Sequence, residues 1–516
     1  MSMSSEKKEA YLNHARPHKT EWVLVILAGV ILSAFYLYPD MTFTSSCGVK
    51  LWNCIANGTF PNFYSEGYWG AEGSILEFSM GGSYDFALYL VFAIYDFPLW
   101  IWEKITGFSF MQFVLTREYI KGIVWIFSGI SAYLVYKIAC VCDVKKEEAK
   151  WAAFLFLTSA VFFYTEVVIG GYDIISVAFT LLGIYGYLTG HNKCFVASFS
   201  MAIAMKMFAV WLFIPLVLLK EKRILRILAY GLEGLLAITI PKIYFTIASH
   251  RFMINRALDA ARQTGQQVDI GEIAAAVGSS NNGIIDHAEA TVNEALFPDG
   301  RMLEYTFISM NALPLVFVGM FALWAFCYLY KKEMNKRDVI YVCAVTMSIF
   351  VLTVKIHPQW CIILMPYLAL LIMFHPQRMK DNLIFEGMFA VGYVLNKALA
   401  YYWTCNLCMI ENMTKPQHSF SYGSPDASGS DYGFSYYIAK ISEKIGISTV
   451  NISYMFKAAA VAGLIMLLIW NFPRRNRGDV EVCIDYKRRR EWMLTRFGIS
   501  CVIGLLPMLG LIVYLT

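Results

Sequence analysis

The sequence predicts an all-α polytopic membrane protein, and three observations carry that prediction. Hydrophobic residues fill 58% of the 516 positions and charged residues only 16%, where soluble domains carry about 25%. The mean hydropathy is +0.51. Apolar runs of about 20 residues recur along the whole length, and a run of that length crosses a bilayer as a helix. The formal net charge of +5 says little, but its distribution says more. Lys and Arg gather in short loops at Lys145/Lys146/Lys150, Lys220–Arg226, Lys331–Arg337, Arg378/Lys380, Arg474–Arg477 and Lys487–Arg490. The positive-inside rule makes these loops cytoplasmic. They read as topology signals, not as a nucleic-acid surface.

The elements follow in order. Residues 1–21 form a polar cytoplasmic leader. The run 22–38 is the first span, and it is not a cleaved signal, because Leu24–Leu37 passes into Tyr38-Pro39-Asp40 without a small-residue cleavage site. If Lys145 and Lys146 are inside, the span 119–141 runs inward and 40–118 is one outward loop. Within it, Asp96-Phe97-Pro98 interrupts 84–106. Proline lacks the N–H and biases its predecessor away from helix, so two short interfacial helices are expected there. Further spans are expected near 151–169, 173–189, 195–219, 226–247, 304–330, 338–356, 360–374, 384–403, 453–471 and 494–515, about twelve or thirteen membrane helices in all. The run 195–219 has Lys206 near its middle and cationic loops at both ends, Lys193 and Lys220–Arg226. One crossing cannot place both ends inside. Two short helices meeting at Lys206, about 11 and 13 residues or roughly 17 and 20 Å, can. Broken helices at membrane depth usually line a cavity, although a snorkelling lysine on an intact span is the plainer reading. Residues 22–375 thus form a transmembrane module with outward loops 40–118 and 248–303. Residues 376–516 form a C-terminal membrane region with the outward loop 404–452.

Twelve cysteines show no zinc spacing. Most lie in or beside spans as apolar fillers. Cys47/Cys54 and Cys405/Cys408 fall in outward loops, where a disulfide is an open alternative to free thiols. Asn57, Asn412 and Asn451 head outward sequons, triplets common by chance.

The chemistry gathers on one face. Asp40 stands at the outer mouth of the first span, where a carboxylate is costly unless it has a role. The topology brings to the same face Asp85 and Asp96, Glu166, the turn Gly170-Gly171-Tyr172-Asp173, Lys206 and the turn Lys355–Trp360 with His357 and Gln359. A carboxylate can deprotonate an acceptor hydroxyl. Lysine and histidine can hold a phosphate leaving group. Trp52, Tyr64, Trp69, Tyr84, Trp100 and Trp360 could stack on sugars. For Trp100 and Trp102 the plainer reading is an interfacial aromatic belt. Helix-end solvation is the plainer reading for Asp96 and Glu166, and snorkelling for Lys355.

This set resembles the GT-C superfamily of integral-membrane glycosyltransferases over roughly residues 20–375. Tyr38-Pro39-Asp40 looks like that family's acidic residue in its first outward loop. Asp96-Phe97-Pro98-Leu99-Trp100 resembles its Pro-Leu-aromatic segment, and Gly171-Tyr172-Asp173 its second-loop acidic turn. Met205-Lys206-Met207 with Pro215 resembles its lysine-bearing helix pair. His357-Pro358-Gln359-Trp360 resembles the His-Pro-aromatic turn of lipid-sugar-dependent members. The chain departs from the pattern in having a single proline at Pro98 and no second acid beside Asp40. The resemblance implies inverting transfer of a sugar from a polyprenyl-phosphate donor to a glycan, lipid or protein acceptor. Asp40 would be the base and Asp173 a helper. Lys206, His357, Gln359, Asp85, Asp96 and Trp360 would bind substrate. A divalent Mg or Mn could sit on Asp40 and Asp173. The site is expected to face away from the cytoplasm at a bacterial cell membrane, with no nucleic-acid partner. The rivals are a transporter or flippase of lipid-linked sugars, which would place its site at the midplane and often repeat itself, and a glycan polymerase or ligase. The polar set lies toward one face and no repeat is visible.

Overall fold

The computed structural model describes residues 14–33, 39–64, 84–108, 114–248, 315–354, 357–400, 434–473 and 485–515. Within them the chain is helical. The first half runs α1 (Lys19–Ser33), α2 (Pro39–Ala56), α3 (Phe86–Thr106), α4 (Val114–Val141), α5 (Lys146–Leu157), α6 (Ala160–Val168), α7 (Ile174–Leu188), α8 (Asn192–Met205), α9 (Val210–Lys220), α10 (Ile224–Gly234) and α11 (Leu236–Ala248). The second runs α12 (Leu315–Leu329), α13 (Lys336–Thr353), α14 (Met365–Phe374), α15 (Met379–Ala400), α16 (Phe434–Ile445), α17 (Thr449–Trp470) and α18 (Tyr486–Leu515).

Three described helices are each long and apolar enough to cross a membrane: Phe86–Thr106, Glu118–Val141 and Thr449–Trp470. Three bent pairs pass the same test only when their two helices are taken together, each being a broken span or a re-entrant turn. α5 and α6 turn by 45°, α10 and α11 by 57°, and the segments Pro358–Phe374 and Pro376–Leu399 by 99°. Many apolar runs are thus divided by bends or shortened, as α7, α8, α9 and α12 are.

Two expectations of the loop 40–118 are corrected. Residues 84–106 form one helix with Pro98 inside it, not two. Proline frees the carbonyl four residues back, which is that of Ile94. Ile94 lies on the outward flank and is 66% exposed, so the missing bond falls where no neighbour has to fit around it. The helix ends at Gly107, whose φ of +71° closes it with an N–H bond to the Glu103 carbonyl. Cys47 and Cys54 both lie on α2 and are not bridged to each other. Seven residues along one helix is a rise of about 10 Å, beyond disulfide reach. Cys405 and Cys408 lie outside the described residues, as do most of loops 248–303 and 404–452.

Small residues let the helices approach. A Cβ on Gly392 of α15 would fall 2.6 Å from the Phe456 carbonyl of α17, and one on Gly463 of α17 would fall 2.6 Å from the Phe385 carbonyl. Gly48 brings α2 against Phe92 and Ala93 of α3, and Gly183 and Gly186 bring α7 against α8. With no hydrophobic force between helices in lipid, such close backbone packing is what holds them together.

Buried and part-buried ion pairs fasten α18 at the cationic end. Arg489 bonds Glu148 of α5 at 2.8 Å, Arg490 bonds Glu21 of α1 at 2.6 Å, and Arg496 grips Glu386 of α15 at 2.6 and 2.7 Å. Glu148 begins the bent span α5–α6, and the turn 169–173 ends it. That separates the two by roughly 30 Å at helical rise, so the turn carrying Asp173 belongs to the opposite face.

Candidate active site

Four chain breaks meet at that face. The first is the start of α2. Pro39 opens the helix, where its fixed φ and missing N–H cost nothing, and Asp40 lies in the first turn, where a carboxylate favours the helix dipole. Just upstream, the Lys121 Nζ donates to the Ser33 carbonyl at 2.6 Å and fixes the end of α1. The second break is the turn between α6 and α7. α6 ends in a π-helical turn, Phe163–Val168, and Gly170 takes φ +78°. Such turns often mark functional sites. Asp173 then stands at the head of α7, its side chain making no capping bond to the helix.

The third break is at Lys206, as its place in the sequence predicts. α8 stops at Met205, Lys206 is extended at φ −152° and ψ 123°, and a short 3₁₀ turn, Met207–Ala209, leads into α9. The fourth is the 3₁₀ turn Pro358–Ile363, entered from His357.

The side chains converge. Tyr84, just before α3, donates its hydroxyl to Asp40 Oδ2 at 2.8 Å. Tyr172 donates to the same oxygen at 2.6 Å. The Lys206 Nζ lies 3.2 Å from Asp173 Oδ1. It also sits 4.5, 5.2 and 5.9 Å from the ring centroids of Tyr84, Tyr172 and Trp360, close enough for each ring face to attract the ammonium. Asp173 is buried, while Lys206 keeps 12% of its side chain exposed and Asp40 is half-buried. The lysine and Asp40 are therefore the reachable charges, and Asp173 the covered one. Burial pushes the Asp173 carboxyl above the usual carboxylate range and Asp40 adds to this, while Lys206 pulls it back. Burial likewise raises the Tyr172 hydroxyl well above its ordinary value, helped by the Asp40 charge, so Tyr172 is a donor to Asp40 and not a base.

The structure thus gathers Asp40, Asp173, Lys206 and Trp360. Gln359 is buried against the 165–171 turn: a Cβ on Gly171 would meet the Thr165 carbonyl at 2.8 Å, the Gln359 Cβ at 2.9 Å and Glu166 Oε1 at 3.1 Å. His357 borders the cluster through Trp360, their ring centroids 5.3 Å apart.

Two expected members stand apart. The Asp85 carboxylate, though next to Tyr84, pairs with Lys242 of α11 at 3.1 Å. Asp96 is buried between α2 and α3, accepting from Ser45 at 2.7 Å. Trp52 and Trp100 are also committed there: Trp52 donates to the Ala93 carbonyl and Trp100 to Asn53. Trp69 and Lys355 lie outside the described residues.

Sequence reasoning missed the hydroxyls of Tyr84 and Tyr172 as the partners of Asp40. Tyr172 stood beside Asp173, but tyrosine is too common in this chain to mark a role. It also missed Lys121, a buried lysine inside a span.

Around Asp40 and Asp173 stand the two tyrosine hydroxyls, the Lys206 ammonium and the Glu166 carboxyl, and among the described residues no three His, Cys, Asp or Glu gather as ligands.

No protein-family model matches the chain, and no curated protein matches it in sequence. Among solved structures the chain is similar to ArnT from Cupriavidus metallidurans, crystallised bound to undecaprenyl phosphate. The identity is 11% and the TM-score 0.40, over 95% of this chain and 78% of that one.

Proposed function

We propose that the protein is a membrane glycosyltransferase that moves a sugar from a polyprenyl-phosphate donor to an acceptor hydroxyl at the extracytoplasmic face. One observation carries the reading. A half-buried carboxylate, oriented by two tyrosine hydroxyls, lies beside a caged lysine whose charge is only partly answered by a buried aspartate.

Each part has work in this reaction. Both tyrosines bond Asp40 Oδ2, so Oδ1 is the oxygen that would meet the acceptor. Asp40 takes the hydroxyl proton while the acceptor oxygen forms its bond to the anomeric carbon. The bond from that carbon to the phosphate oxygen breaks on the opposite face, and its electron pair leaves with the polyprenyl phosphate. The anomeric centre inverts. Lys206, ringed by Tyr84, Tyr172 and Trp360, holds the phosphate and neutralises the charge that grows on it. Asp173 keeps the lysine in place. The rings also offer the apolar faces on which a sugar stacks. Gln359 and His357 line the same wall. The extracytoplasmic assignment rests on the cationic loops at the other end of α5–α6.

The test is transfer by the purified protein from a panel of polyprenyl-phosphate sugars to a mixed acceptor pool. Product formation with release of polyprenyl phosphate is expected. Translocation of the donor in vesicles without any transfer would instead support a lipid-sugar flippase.

A further inference from the structure

Between α15 and α18 the flank of the bundle opens into a cleft of about 350 Å³. Its walls are apolar, formed by Leu383 and Val391 of α15, Ala160 of α6 and Ile499 of α18. Arg496 lies on its floor, but that guanidinium is already used, paired with Glu386 and donating to Thr158 at 3.0 Å. The mouth is different. Lys380 stands there exposed. Trp492 also lines the cleft, with the Arg488 guanidinium 5.3 Å from its ring centroid. Both chain segments belong to loops that the charge distribution puts in the cytoplasm.

From Lys380 the cleft follows α15 as far as Val391, about 16 Å at helical rise and well into hydrocarbon depth. It opens sideways. Ile384 and Ile499 on its edges are 50% and 51% exposed, and a Cβ on Gly387 would meet nothing within 4 Å. An apolar trench at acyl depth, open to lipid, under a lysine and an interfacial tryptophan, has the chemistry of a lipid seat. Cationic pockets between helices on the cytoplasmic side select anionic headgroups.

We propose that the cleft between α15 and α18 binds an anionic phospholipid of the cytoplasmic leaflet, with its phosphate on Lys380 and an acyl chain along Gly387. The mouth of the cleft, at Lys380, belongs to the cationic end of the bundle, away from the Asp40 cluster, and the proposal does not depend on the reaction assigned there.

The test is native mass spectrometry of the full-length protein in detergent, titrated with phosphatidylglycerol or with phosphatidylcholine of the same chains. Phosphatidylglycerol is expected to bind at least fivefold more tightly. Lys380→Ala should weaken it about fivefold, the worth of one interfacial lysine. Gly387→Phe fills the trench and should abolish the adduct. Gly231→Phe, where a Cβ has equally open space on α10, should leave binding unchanged and controls for bulk on a lipid-facing helix. Equal binding of the two lipids, full affinity in Lys380→Ala or an unchanged adduct in Gly387→Phe would each overturn the proposal. Displacement of the adduct by inorganic phosphate alone would also overturn it, since the seat would then be a phosphate site and not a lipid one.

Discussion

Replacing Lys206 by Met separates two things this residue does. It removes the ammonium 3.2 Å from Asp173 Oδ1, and Asp173 is only 2% exposed. Stripping one partner from a buried pair costs about 3–5 kcal/mol, because the other charge stays buried alone. Protonation offers a partial escape. Burial already raises the Asp173 carboxyl, and Lys206 is the group that holds it down. Without the lysine the folded-state value rises further. A carboxyl whose folded value exceeds its unfolded one is fully stabilising below the unfolded value and loses that contribution as pH rises through the folded one. The deficit of Lys206→Met should therefore be small in acid and grow toward neutral pH. Adding Asp173→Asn removes the orphaned charge. The double variant should regain stability to within about 1–2 kcal/mol at neutral pH, since exchanging a whole buried pair for neutral groups is often near neutral. Transfer should not return with it. If Lys206 holds the leaving phosphate, its loss costs about 10²–10³ in rate. Thermal unfolding of the solubilised proteins across pH, alongside initial transfer rates, reads both quantities. A double variant that recovers stability and transfer together would refute the reasoning, reducing Lys206 to a counter-ion for Asp173.

Four further outcomes follow from the same geometry. Tyr84→Phe with Tyr172→Phe removes both hydroxyls from Asp40 Oδ2; a rate loss of about 10²-fold is expected from a misplaced base, and a wild-type rate would contradict the orienting role. Gly171→Ala should lose transfer because its Cβ has nowhere to go between Thr165, Gln359 and Glu166, whereas Gly498→Ala on an open helix face should unfold no earlier than wild type. Asp96→Asn keeps the acceptor for Ser45 and should transfer within a few-fold of wild type, in keeping with a place outside the cluster. Arg496→Met leaves Glu386 buried and unpaired, and a stability loss of about 3–5 kcal/mol is expected in denaturant unfolding, relieved by adding Glu386→Gln.

What the sequence made legible was what charge and length control. Lys206 between two cationic loops pointed to a broken span, against a snorkelling lysine on an intact one, and the chain does turn extended there. The convergence of Asp40, Asp173, Lys206 and Trp360 followed from sidedness alone. What failed was local. Pro98 looked like a break, yet a helix flank open on one side absorbs it. Asp85 and Asp96 turn to Lys242 of α11 and Ser45 of α2, partners that no spacing rule couples to them. The hydroxyls of Tyr84 and Tyr172 were hidden for a related reason. They come from separate segments and become partners of Asp40 only once helix packing sets their direction.

The central claim is that Asp40 is the base of a sugar transfer. Asn at this position keeps the shape and can still accept the two tyrosine hydroxyls, but cannot take a proton. The most direct measurement compares wild type with Asp40→Asn for sugar transfer from polyprenyl-phosphate donors, with donor binding measured on the same preparations. Donor binding preserved and transfer lowered by orders of magnitude is the predicted result. Undiminished transfer by Asp40→Asn would contradict the account and move the base elsewhere.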